Sequence, residues 1–168
     1  METVHPARPT GAANDGEVAL LLQHVRARLA EVDARPEGLV AGVWRPWDGL
    51  CVVALAGEMD TTRAPGLTRM LEGRLGPDPR RLIVELSRVR LVDSSGISQL
   101  ITLVSAFTAA GGRTALAAPT PPVARAFERV KLSESALVVE TLEAALTHSQ
   151  STSHKPREPR RQYANARA

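Results

Sequence analysis

A chain of 168 residues with 43% hydrophobic and only 3% aromatic content suits one domain with appendages, its core built mostly from Leu, Val, Ile and Ala. The formal charge is +3, but residues 39–147 carry 12 basic and 11 acidic groups against 5 and 1 in residues 148–168. The high pI therefore belongs to the tail, and the domain offers no basic, aromatic-interleaved face for nucleic acid. No apolar run is long enough for a membrane span, and the N-terminus lacks a basic region followed by an apolar segment, so the chain reads as cytoplasmic.

Residues 1–16 hold Pro6, Pro9 and Gly11 without apolar periodicity and are predicted to be disordered. Residues 17–36 form an amphipathic helical extension: Val18, Leu21, Leu22, Val25, Leu29 and Val32 share one face, and Pro36 closes it. Its polar face mixes both charges, which argues against a membrane surface. The helix is expected to pack on the domain or to pair with a copy of itself as a homodimer, with docking to a partner as a further use. Residues 39–44 and 50–56 read as strands of a hairpin joined by Arg45-Pro46-Trp47-Asp48-Gly49. Trp44 and Trp47 are expected to pack along an edge strand rather than form a binding patch. Cys51, the single cysteine, reads as a small core residue, not a nucleophile or ligand.

Gly57-Glu58-Met59-Asp60 ends the second strand, and Asp60, Thr61 or Thr62 can cap the next helix. Leu67, Met70, Leu71 and Leu75 supply that helix with a buried face, and Gly76-Pro77-Asp78-Pro79 stops it. Leu82-Ile83-Val84-Glu85-Leu86 has the pattern of a strand buried on both faces. Residues 87–90 read as a turn leading to the apolar pair Leu91-Val92 and then to Asp93-Ser94-Ser95-Gly96. Ile97, Leu100, Ile101, Leu103, Val104 and Phe107 recur at helical spacing until Gly111-Gly112. A strand over 114–118, a helix through Val123, Phe127 and Val130, a strand over 136–139 and a helical stretch over 142–146 follow. This alternation predicts an α/β (α+β) fold, a single domain over 39–147 with a mixed sheet and packed helices. Residues 148–168 lose all periodicity and form a basic tail, read as solvated disorder.

Enzyme chemistry finds no support. His5, His24, His148 and His154 all lie outside residues 39–147, and Val92 stands where a nucleophile elbow has glycine. Paired metal-ligand spacing and a Walker loop are both absent from the sequence, so neither metal nor cofactor is expected. What the motif does offer is two hydroxyls and a carboxylate at the mouth of a helix, where free amides and the dipole favour an added anion. On spacing alone, Ser94 reads as the helix cap, and Glu58 and Asp60 as a strand-end acid and a cap.

Asp93-Ser94-Ser95-Gly96-Ile97, preceded by Gly57-Glu58-Met59-Asp60, resembles the STAS domain of bacterial anti-sigma factor antagonists over about two thirds of the chain. The resemblance implies that Ser94 is the phosphoacceptor, that Ser95 and Gly96 shape its loop, and that Glu58, Asp60 and Asp93 contribute to the partner surface. It further implies a partner-switching cycle. The unphosphorylated protein binds an anti-sigma factor with a histidine-kinase-like ATPase fold and frees a sigma factor; that partner phosphorylates Ser94 with ATP, and a metal-dependent serine phosphatase resets the cycle. The competing reading is a STAS scaffold that assembles without being switched, for which the helical extension is the supporting feature.

Overall fold

Alternation along one strand decides the architecture. In the computed structural model, which describes residues 15–33, 39–47, 49–62, 67, 71, 75 and 80–151, strand β2 (Leu50–Met59) is buried continuously from Leu50 to Ala56. Cys51, Val53 and Leu55 enter one apolar cluster, and Leu50, Val52 and Ala54 enter another. Side chains alternate across a strand, so such a run requires a packed layer on each face of the sheet.

Strand β1 (Leu39–Trp47) lies antiparallel to β2 at the sheet edge, and β3 (Arg81–Val92), β4 (Arg113–Ala117) and β5 (Leu137–Val139) follow in order, each parallel to its neighbour. This is the mixed α/β fold expected. On one face lie Leu67 and Leu71 together with α2 (Ser94–Ala109), through Ile97, Leu100, Val104 and Phe107, and α3 (Pro121–Arg129), through Val123 and Phe127. On the other lie α1 (Asp15–Asp33), through Leu22, Val25 and Leu29, and α4 (Leu142–Ser151), through Leu142, Ala145 and Leu146. Phe127 and Cys51 are core residues, and burial pushes the Cys51 thiol up to about 11.

Helix α1 thus turns its apolar face onto its own domain, although Leu20 stays 73% exposed. An ion pair of 3.7 Å between Arg26 and Glu143 joins α1 to α4 across the surface; exposed pairs of this kind add little to stability. The helix begins two residues before the expected position, at Asp15. In the stretch after β2, Leu67 and Leu71 are helical and buried and Leu75 is half-buried. Residues 148–151, expected to open the disordered tail, instead continue α4 to Ser151, with Ser149 buried. Pro36, Met70, the stop at residues 76–79, the segment before residue 15 and the tail beyond residue 151 lie outside the described residues.

Two expectations about turns need correction. The hairpin loop is shorter than Arg45–Gly49, because β1 continues to Trp47 with a register shift between Trp44 and Trp47. Arg45 and Pro46 sit in this irregularity of an edge strand, a place where proline is tolerated, and Gly49 adopts the left-handed φ of +77° that closes the turn. Trp44 packs over Gly42 against the second cluster; the Trp47 side chain lies outside the described residues. Residues 87–90 form no turn either. Strand β3 is continuous, with register shifts opposite Ala54/Ala56 and Gly57/Glu58. These shifts absorb the surplus residues while Val89 stays in the core at 1% exposure.

Glu85 sits at the first shift. Its Oε1 accepts the Ser87 amide at 3.1 Å, while Oε2 is buried without a hydrogen-bond partner among the described residues. Burial raises the carboxyl pKa above its ordinary value of 4.5, with the Ser87 bonds opposing. The folded state therefore binds this proton more tightly than the unfolded chain, and stability falls as pH rises from 4.5 through the folded-state value. Urea unfolding of Glu85→Gln should show the variant gaining stability relative to wild type across that interval. Parallel pH curves would mean that Glu85 is not held protonated by the fold.

Candidate functional site

The carboxyl ends of β2 and β3 bring the two sequence motifs together. Glu58 and Met59 pair in register with Leu91 and Val92, so Glu58–Asp60 and Asp93–Gly96 leave the sheet side by side. The Asp93 amide then donates to the Met59 carbonyl at 3.1 Å. Gly96 is buried against the same spot: a Cβ there would collide with the Met59 carbonyl oxygen and lie 2.8 Å from Met59 Cβ and 2.9 Å from Val92 Cγ2. The loop can approach the end of β2 this closely only because residue 96 has no side chain.

Asp93 is the N-cap of α2, with extended backbone (φ −98°, ψ −175°). Its Oδ1 accepts the Ser95 amide at 2.9 Å and the Gly96 amide at 3.0 Å. Its Oδ2 accepts the Thr61 amide at 2.9 Å and the Thr61 hydroxyl at 3.0 Å. The Gly96 amide foremost, with the donors of Thr61 and Ser95, holds the carboxyl below the usual carboxylate range.

This arrangement reassigns the cap that spacing gave to Ser94. Asp93 supplies the capping oxygen, and Ser94 is the first helical residue, exposed, its carbonyl accepting the Ser98 hydroxyl at 2.8 Å. The Ser94 hydroxyl is left out of the cap and points to no structural task among the described residues. Ser95 is half-buried and contributes its amide. Asp60 is half-buried and closes a small turn, its Oδ1 accepting the Thr62 amide at 3.0 Å; Glu58 is half-buried at the end of β2. The four carboxylate bonds thus fix the mouth of α2, along which Ser94, Ser98 and Thr102 are exposed.

Two features escaped the sequence. Thr61 is 32 residues from Asp93, and no local pattern links them. Leu91, read as half of an apolar pair, is 47% exposed beside the motif, because the second shift in β3 takes it out of alternation. A cleft of about 490 Å³ opens at the opposite end of the parallel strands, where Arg81, Arg113 and Leu137 begin β3, β4 and β5. None of the motif residues lines it, so the motif and this cleft are separate. No group of His, Cys, Asp and Glu suited to a metal occurs among the described residues, and none of their helices is long and apolar enough to cross a membrane.

Fold and site together define a small α/β module that presents a serine at the mouth of a helix. The family model of the STAS domain matches residues 46–145, and the chain belongs to the STAS domain family. An anti-sigma factor antagonist from Mycobacterium paratuberculosis is similar at 26% identity, over 68% of this chain and 96% of that one, with a TM-score of 0.60. The unphosphorylated form of SpoIIAA, an anti-sigma factor antagonist of Bacillus, shares the fold at 21% identity, over 67% and 97% of the two chains, with a TM-score of 0.56. So does a SulP transporter STAS domain from Vibrio cholerae at 21% identity, over 62% and 83%, with a TM-score of 0.51. A search of curated proteins finds no match.

Because the Asp93 carboxyl is held below its ordinary value, its contribution to stability is present above pH 3.8, the unfolded value, and is lost as pH falls through the lower folded value. Asp93→Asn should therefore melt below wild type at neutral pH, since an amide nitrogen cannot accept from Thr61, and the gap should close in acid. A gap that persisted unchanged down to the acid limit of folding would show that the charge on Asp93 is not what holds the loop.

Proposed function

We propose that this protein is a cytoplasmic anti-sigma factor antagonist whose docking surface is switched by phosphorylation of Ser94. The observation that carries the reading is the division of labour at the helix mouth: Asp93 caps α2, and Ser94 is exposed beside it without a capping role. Similarity at 26% identity to an anti-sigma factor antagonist covering 96% of that chain supports the same role.

In this reading the unphosphorylated face, built from Glu58, Asp60, Asp93, Ser95 and Gly96 around Ser94, binds an anti-sigma factor with a histidine-kinase-like ATPase fold and so frees a sigma factor. The partner transfers phosphate from ATP to Ser94. A phosphoserine adds a charge of about −1.5 to −2 at neutral pH. The helix N-terminus tolerates that charge, so the domain stays folded, while the like charges of Asp93 and Asp60 make the face strongly anionic and bulky toward its partner. A metal-dependent serine phosphatase restores the binding form. Nucleotide and metal belong to those partners, and this chain acts as a binding module rather than an enzyme.

A second reading, an unswitched STAS scaffold, draws on α1, which lies outside the matched residues 46–145. Leu22, Val25 and Leu29 are already buried within their own chain, so pairing through that face requires α1 to leave the domain.

Intact-mass and phosphopeptide analysis of the protein from its native cells should place phosphate on Ser94. In pull-downs from those cells, Ser94→Ala should retain an ATPase-fold partner that Ser94→Asp loses. Absence of phosphate from Ser94 under every growth condition, with equal capture by both variants, would overturn the switch.

A further inference from the structure

Thr61 spends its side chain on a residue far away in sequence. An exposed threonine in a turn normally hydrates its hydroxyl, yet here both polar groups of residue 61 converge on one oxygen of Asp93, the amide at 2.9 Å and the hydroxyl at 3.0 Å. The other oxygen serves the Ser95 and Gly96 amides. A carboxylate bonded through one oxygen alone can swing about its Cβ–Cγ bond; bonded through both, it is fixed in plane as well as in place. The Thr61 amide bond is available to any residue at position 61 other than proline. The hydroxyl bond is available only to Thr or Ser.

We propose that Thr61 is a positioning residue for Ser94, its hydroxyl locking the Asp93 carboxylate so that the first turn of α2 presents the Ser94 hydroxyl in one orientation. The consequence for modification rests on the phosphorylation reading above. Ser94 lies between Asp93 and Ser95, the residue whose amide that carboxylate holds, so its Cα–Cβ direction follows the clamp. Phosphorylation forms a bond between Ser94 Oγ and the γ-phosphorus of ATP as the bond from that phosphorus to the bridging oxygen of ADP breaks, and the hydroxyl proton passes to a base of the kinase. In-line transfer of this kind is sensitive to the placement of the attacking oxygen. The clamp also makes the end of β2 and the serine loop one body, since Asp93 donates to the Met59 carbonyl and the Asp60 carboxylate closes the turn that carries Thr61. A kinase that recognises Glu58–Asp60 then finds Ser94 at a set distance.

The test compares the full-length protein with Thr61→Val, which keeps the shape and removes the hydroxyl, and Thr61→Ser, which restores it; Thr61→Ala replaces the valine variant if that one fails to fold. Two readouts are taken: amide hydrogen exchange at Ser95 and Gly96 by NMR, and Ser94 phosphate occupancy of the variants expressed in native cells, by intact mass. Thr61→Val should speed exchange at both amides by roughly threefold, within the range that one solvent-exposed charged contact confers, and should lower Ser94 occupancy. Thr61→Ser should match wild type in both. Exchange unchanged in the valine variant overturns the clamp, and faster exchange with unchanged occupancy overturns its link to Ser94. If wild-type Ser94 carries no phosphate, the functional reading fails, while the exchange comparison still decides whether Thr61 positions the loop.

Discussion

The hydrogen bonds to the Asp93 carboxylate are the constraint on which the functional end of the molecule depends. They satisfy two of the free amides at the start of α2 and tie the turn after β2 to that helix. A threonine or serine cap would have one side-chain oxygen to offer, whereas a carboxylate has two, and this geometry uses both. With the cap supplied by Asp93, the neighbouring Ser94 is relieved of a structural role. A residue that holds the fold cannot be modified without cost to stability, and on the proposed reading the two duties fall on adjacent residues.

The same economy appears in how the sheet is covered. β2 and β3 are buried on both faces from Leu50 to Ala56 and from Leu82 to Leu86, so the second face needs as complete a layer as the first. Helix α4 supplies part of it and α1 the rest, Leu22, Val25 and Leu29 packing with Leu50, Val52 and Ile83. Helix α1 lies outside the matched residues 46–145 and closes an apolar surface in this chain. The serine loop belongs to the opposite layer, where Ile97 and Leu100 pack in the first cluster. Helix α1 and the serine loop therefore sit on different faces of one sheet.

Much of the architecture was legible because burial leaves periodic traces. The double-sided strands, the face of α2 at Ile97, Leu100, Val104 and Phe107, and the core fate of Cys51 and Phe127 all follow from spacing and residue type. The errors share a cause. Residues 87–90 look like a turn because Ser and Arg interrupt an apolar run, yet parallel pairing with β2 continues across them through two register shifts; a bulge has no signature that a single strand reveals. Pro46 misled in the same way at the edge strand. At the site, the residue types were readable, but the assignment of the cap between Asp93 and Ser94 was not, because both can cap and only the tertiary donor at Thr61 selects the residue with two oxygens.

The central claim is that the fold at the helix mouth is held by Asp93 and not by Ser94, so that the serine can change its charge while the domain stays intact. The most direct measurement is the thermal unfolding of full-length protein phosphorylated on Ser94 beside the unmodified protein, with the Asp93 carboxyl followed by NMR. The account predicts melting temperatures that differ little and an Asp93 that still accepts from Thr61, Ser95 and Gly96. A phosphorylated protein that melts far below the unmodified one, with the Ser95 and Gly96 amides released, would contradict it.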